Sequence, residues 1–140
     1  MKRLTYILGI CILVGVLLVS FVFIKMYNKP HIDMVNAQPQ FVVSVIELAN
    51  EFQTDENEAN QKYLDNVLQV KGEVAAISTN NGKSVLTLRQ EGSSTQVICT
   101  LNASENKKVL QLKEGQQVTV KGICTGFLLD IMLVRTIIVN

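Results

Sequence analysis

The sequence predicts a mainly β domain, a five-stranded Greek-key barrel, carried behind a helical extension and an N-terminal transmembrane helix. Three observations predict it. The run Leu4 to Ile24 is apolar and holds no charge over 21 residues. The apolar period changes from 3.6 to 2 near Val67. From there the elements read as three strands, a short helix and two strands, the order of a small closed barrel.

The apolar run is opened by Lys2 and Arg3 and closed by Lys25. At about 1.5 Å rise per residue it spans roughly the 30 Å hydrocarbon core of a bilayer. A cleaved signal peptide has a shorter apolar core and a small-x-small cleavage site. A lipoprotein signal needs a small residue before its acceptor cysteine, and Cys11 follows Ile10 in the middle of the run. Residues 1–26 therefore read as an uncleaved single-pass anchor. Basic residues flank both ends, so the positive-inside count is nearly balanced. The two-residue basic tip favours a cytoplasmic N-terminus and an extracytoplasmic or periplasmic domain.

Residues 27–40, with Pro30 and Pro39, read as a polar juxtamembrane connector. Residues 41–66 read as a helical lead-in. Val42, Val45, Ile46, Ala49 and Phe52 recur at helical spacing, the helix starts either at a capping box of Ser44 and Glu47 or nearer Pro39, and a break is expected near Thr54-Asp55. Residues 67–140 form the barrel. Its first strand starts at Val67, with Leu68, Val70, Val74 and Ala76 expected inward. Asn80-Asn81-Gly82 is a hairpin turn, because Asn and Gly accept positive φ. The second strand runs from Ser84 to Gln90 with Leu86 and Leu88 inward. The third runs from Gln96 to Leu101 with Val97, Cys99 and Leu101 inward. A helix follows over Asn102–Leu112. The fourth strand covers Gln117–Cys124 with Val118, Val120 and Cys124 inward. The last covers Asp130–Val139, where blurred alternation predicts a bulge near Val134-Arg135.

This order is that of the OB-fold. An internal echo agrees with it. Leu68-Gln69-Val70-Lys71-Gly72 and Val118-Thr119-Val120-Lys121-Gly122 share one pattern, and their strands are neighbours in such a barrel. A glycine in each relieves crowding where the sheet bends to close.

Charge narrows the function. Residues 31–66 carry seven acids and Lys62 alone, while residues 67–140 carry eight bases and five acids. Neither half has the basic excess of a nucleic-acid binder. From Val67 onward Phe127 is the single aromatic residue, and base stacking contributes only about 1–3 kcal/mol per platform. Lys71, Arg89 and Lys121 read as ordinary solvated strand residues. Cys99 and Cys124 are either a bridge or buried thiols, with the thiols at least as well supported by their apolar settings. His31 is the sole histidine and no Cys-x-x-Cys occurs, so no metal ligand set is expected. No cofactor motif and no catalytic grouping stand out.

The chain resembles the tRNA-anti-like OB-fold family, small exported bacterial proteins with an N-terminal anchor or signal. Asn60-Gln61-Lys62-Tyr63 and Val70-Lys71-Gly72-Glu73-Val74 carry part of the likeness. Gly122-Ile123-Cys124-Thr125-Gly126-Phe127 followed by Asp130 carries more of it. The resemblance covers roughly residues 42–139 and implies an OB barrel, without assigned catalytic residues. Thr136 stands where the family often has a cysteine, so a bridge from Cys124 to that position is unavailable. The expected function is a non-enzymatic binding or scaffolding module of the cell envelope with a protein or glycan partner. The alternative is single-stranded nucleic acid. Lys83, Arg89, Gln96 and Phe127 are the candidate ligand-binding residues. Phe127 reads better as a plug at the barrel end than as an exposed contact.

Overall fold

A computed structural model describes residues 2–27 and 33–139 and, within the first helix, the side chains of 12–24. The chain divides into two compact units, Met1–Ile32 and Asp33–Asn140. The first unit holds helix α1, Lys2–Tyr27. Residues 12–24 of it are exposed all round and apolar apart from Ser20, so this stretch has no polar face to turn to water. Among the described residues no helix is long and apolar enough to cross a membrane. The side chains of residues 4–11, the first part of the expected anchor, lie outside the described residues.

The second unit contains β1 (Phe41–Ser44), α2 (Val45–Thr54), α3 (Glu56–Tyr63), β2 (Val67–Asn80), β3 (Lys83–Arg89) and β4 (Val97–Leu101). A 3-10 turn at Ala103–Glu105 leads into α4 (Asn106–Val109), followed by β5 (Gln117–Phe127) and β6 (Ile131–Val139). The ladders run β2-β3-β4-β6-β5 and return to β2, closing a five-stranded barrel. The β4–β6 pairing is parallel and the other barrel pairings are antiparallel.

The lead-in departs from expectation at its start. Phe41, Val42 and Val43 extend as a strand, pairing parallel with Leu68–Val70, before the helix begins. Their β-branched and aromatic side chains suit a strand and disfavour a helix start. The capping box then forms as expected: Ser44 Oγ accepts from the Glu47 amide at 3.2 Å, and Glu47 Oε2 accepts from the Ser44 amide at 3.4 Å. Asp55 ends α2 and caps α3. The expected helix over Asn102–Leu112 shrinks to the 3-10 turn and α4.

Bulges set which faces are buried. Between Val74 and Ala76 the register with β3 shifts by one residue, so Ile77 turns in and Ala76 turns out. Ala76 was expected inward, and the extra residue reverses the alternation beyond it. On β6 the expected bulge is present. Three residue steps from Leu133 to Thr136 oppose two from Cys99 to Leu101, and Arg135 takes φ 52. The echo glycines sit at two crowded crossings. A Cβ on Gly72 would lie 2.5 Å from Val45 Cγ2, and one on Gly122 would lie 2.5 Å from Thr136 Oγ1.

The core fills the barrel and continues under α2. Val45, Leu48, Ala49 and Phe52 are buried with Leu68, Val74, Leu86, Leu88, Val97 and Leu133. At the other rim Val109 is buried, and Glu105 Oε2 accepts from the Ile138 amide at 3.0 Å.

Part of the expected connector belongs to this unit. Residues 28–32 fall outside the described residues, while 33–40 lie on the barrel wall. Met34 is 2% exposed and joins Val67, Ile123 and Ile137 in a second apolar cluster. Lys121 was expected to be solvated. It is 8% exposed, and its Nζ donates to the carbonyls of Val35 at 3.2 Å and Ala37 at 2.8 Å. Those carbonyls replace the water that the ammonium loses.

Candidate binding surface

In barrels of this topology ligands lie across the second and third barrel strands and the loops beside them. Here these are β3 and β4, the Asn81-Gly82 turn and the Leu128–Asp130 turn. Leu86, Leu88, Val97 and Cys99 are fully buried, so alternation sends Val85, Thr87, Ile98 and Thr100 outward. Register arranges the outer surface in two rows. Ser78, Val85 and Thr100 form one, and Ala76, Thr87, Ile98 and Met132 form the other. The rows hold aliphatic groups and hydroxyls, with no charge and no aromatic ring.

The four expected contact residues do not converge. Lys83 opens β3 opposite Asn80, and Arg89 ends the same strand, about 20 Å away at a strand's rise per residue. Arg89 is paired with Glu73 at 3.1 Å. Gln96 lies one residue before the Leu88–Val97 pair and therefore near Arg89. Its amide donates to Asp130 Oδ1 at 2.9 Å, and its carbonyl accepts from Ile131 at 3.0 Å. Phe127 ends β5 at this same rim. It is half-buried and stacks on Phe52, with ring centroids 5.5 Å apart, so it plugs the barrel end as expected. Arg89, Gln96 and Phe127 thus share a rim, and Lys83 marks the opposite one.

Sequence reasoning missed the neutral rows, because it singled out charged, amide and aromatic residues. It also passed over Leu128 and Leu129. Each is 86% exposed at the tip of the β5–β6 hairpin. Two successive leucines inside a turn were the available signal. Beside them a groove of about 500 Å³ is lined by Asn60, Leu64, Phe127 and Met132, among others.

Titratable groups outside this surface have structural settings. Glu51 accepts both hydrogen bonds from Lys62, at 3.0 and 2.7 Å, which hold its carboxyl below its usual range and the ammonium above its own. Lys62 also stands 4.7 Å from the centre of the Tyr63 ring. The Tyr63 hydroxyl is buried beside this pair, and burial pushes its pKa up. Cys99 and Cys124 are free, buried thiols, each raised by burial. Leu133 stands between them in register. Two strand spacings, about 10 Å, exceed the reach of a disulfide. Among the described residues no grouping could hold a metal ion, and His31 lies outside them.

The tRNA_anti-like family model matches residues 1–138. The chain belongs to the tRNA_anti-like family. Two solved structures resemble this chain in fold. A lipoprotein of Klebsiella pneumoniae, whose name proposes nucleic acid binding, is 18% identical with a TM-score of 0.64, covering 80% of this chain and 100% of that one. A protein of Leishmania major, provisionally named an aspartyl-tRNA synthetase, is 13% identical with a TM-score of 0.50, covering 86% of this chain and 26% of that one. At these identities the likeness is one of fold. No curated protein matches the chain. In this member of the family Thr136 is fully buried against Gly122, its hydroxyl without a hydrogen-bond partner.

Proposed function

We propose that this tRNA_anti-like protein is a single-pass, membrane-anchored binding module of the bacterial envelope. It has no enzymatic activity, and it takes a protein partner, or else a glycan, on the β3–β4 face. The observation that carries the reading is the chemistry of that face. Its two rows offer methyl groups and hydroxyls, in the position where OB barrels hold their ligands. An uncharged surface of that kind suits another protein's uncharged surface, while a polyanion needs basic side chains and stacking rings.

The uncharged run Leu4–Ile24 supports the anchor, and the exposed apolar girth of residues 12–24 agrees with it. The full-length protein should stay in the membrane fraction through alkaline carbonate washing. A mature chain beginning beyond Ser20 would contradict the anchor. The Klebsiella lipoprotein's name favours nucleic acid as the alternative, which the sequence reading narrowed to a single strand. The two readings separate in one pair of measurements. Pulldown of the full-length protein from membranes should recover a discrete partner that Thr87→Arg loses. Fluorescence anisotropy with short single-stranded DNA and RNA at low salt should show no binding. Salt-dependent oligonucleotide affinity together with an empty pulldown would replace the first reading with the second.

A further inference from the structure

We propose that the outer edge of β2, from Ile77 to Asn80, pairs antiparallel with the same edge of a second copy of the chain, about a two-fold axis at Ser78. The edge adds a contact to the β3–β4 reading and stands without it.

Backbone geometry exposes this edge. Asn81 and Gly82 take φ 50 and 75 in a two-residue turn, so Asn80 and Lys83 exchange hydrogen bonds across the hairpin. Alternation then sends the N–H and C=O groups of Ser78 and Ala76 toward β3, and those of Ile77 and Thr79 the other way. Val74 agrees from the far end of the edge. Its amide donates to the Gln116 carbonyl and its carbonyl accepts from the Gly115 amide, both at 2.8 Å and outside the ladder with β3. Past that turn the edge is open. Among the described residues no backbone group bonds the outward N–H and C=O of Ile77 and Thr79. Ser78, Thr79 and Asn80 are exposed.

The same residues name the occupant. Free N–H and C=O groups on two alternate residues match an added strand. Their arrangement is symmetric about Ser78. An antiparallel copy therefore sets Ile77 opposite Thr79 twice over and closes four hydrogen bonds. In that register Asn80 of one copy faces Ala76 of the other, and the turn after Asn80 reaches Gly115-Gln116, where the open edge ends. No charge lies between Val74 and Asn80, so an identical strand meets no repulsion. Lysine or proline commonly protects such an edge from its own kind, and this stretch has neither. A self-complementary edge closes as a two-fold dimer rather than an open fibre. The second copy also extends the outer face. The row of Ser78, Val85 and Thr100 meets its counterpart at the axis and runs across both barrels.

Ser78 supplies the test. Across the axis the two Ser78 residues form a non-hydrogen-bonded pair about 4.5 Å apart at Cα, within disulfide reach. The two Lys83 residues stand three strand spacings apart, at least about 14 Å, and outside that reach. Full-length Ser78→Cys and Lys83→Cys, each carrying Cys11→Ala so that α1 supplies no thiol, are oxidised with copper phenanthroline in cells expressing them. Cys99 and Cys124 are buried. Non-reducing gels should show Ser78→Cys mostly at twice the chain mass and Lys83→Cys at the single-chain mass. Ser78→Lys places two like charges face to face at an exposed site. In the purified full-length protein it should speed amide exchange at Ile77 and Thr79 about tenfold, because these amides are bonded only in the dimer. Equal dimer from both cysteines, or none from Ser78→Cys, would overturn the pairing, as would exchange at Ile77 and Thr79 that Ser78→Lys leaves unchanged. A Ser78→Cys adduct of another mass would also overturn it, giving the edge to a strand of a different protein. The pulldown that Thr87→Arg abolishes is read separately, so failure of one surface leaves the other standing.

Discussion

Two outer walls of the same barrel are treated in opposite ways. The wall formed by β5, β6 and the start of β2 is covered by residues 33–40, with Met34 buried in its apolar cluster and Lys121 bound to two backbone carbonyls. The wall formed by β3 and β4 turns half-buried, neutral residues outward, with no described segment of the chain bonded across them. The covered wall uses its side chains to hold the protein's own chain. Among the described residues, Val85 and Ile98 on the other wall join neither apolar cluster, and that wall coincides with the place where barrels of this topology bind. The contrast teaches that coverage, more than hydrophobicity, marks out the proposed binding surface, since Ile98 on the bare wall is as apolar as Ile137 on the covered one.

The largest expected effect tests the covering itself. Met34→Ala should cost about 2–4 kcal/mol in chemical denaturation, from lost burial and the cavity left behind. Ile98→Ala on the bare wall should cost less than about 1 kcal/mol. Equal losses would mean that the two walls are alike. Gly122→Ala comes next, at about 1–3 kcal/mol, because its new methyl meets Thr136 Oγ1 and the Val134 carbonyl. Thr136→Ala should recover part of that loss in a double-mutant cycle, and strict additivity would exclude the proposed collision.

Lys121→Met should cost about 1–2 kcal/mol, since it leaves two carbonyls without their charged donor. It should also speed amide exchange at Ala37, whose own bond to Asp33 closes the turn. An exchange rate unchanged by the substitution would show that the lysine does not hold the segment down. The smallest effect lies away from both walls. Lys62 depresses the Glu51 carboxyl in the folded state. Its contribution is thus present above the unfolded pKa, near 4.5, and fades as pH falls through the lower folded value. The pair is partly exposed, so screening limits the contribution to less than about 1 kcal/mol. Glu51→Gln should flatten the acid limb of the stability profile by no more than this, and a larger change would contradict the screening of this pair.

The barrel was legible because period 2, the Asn-Gly turn and the paired glycines are local signals that agree with one another. The β6 bulge was legible for the same reason, as a break in alternation. Ala76 was misread because a single inserted residue reverses every side chain after it, and no residue there announces the insertion. Lys121 was misread because its partners, the carbonyls of Val35 and Ala37, lie more than eighty residues away in sequence. β1 was taken into the helix because Val42 also fits a 3.6 period, although Phe41-Val42-Val43 is strand-prone. Of the expected contact residues, charge and aromaticity selected Arg89 and Phe127. The fold commits the first to Glu73 and the second to Phe52. The neutral rows could not be recognised as a surface until register brought three and four strands side by side.

The central claim is that the bare β3–β4 wall is where this protein meets a protein partner. Photo-crosslinking in living cells, with the crosslinker placed in turn at Thr87, Thr100 and, as the covered-wall reference, Val139, tests it most directly. A discrete protein adduct is expected from Thr87 and Thr100, and none from Val139. Adducts confined to Val139, or nucleic acid in place of protein at Thr87 and Thr100, would contradict it.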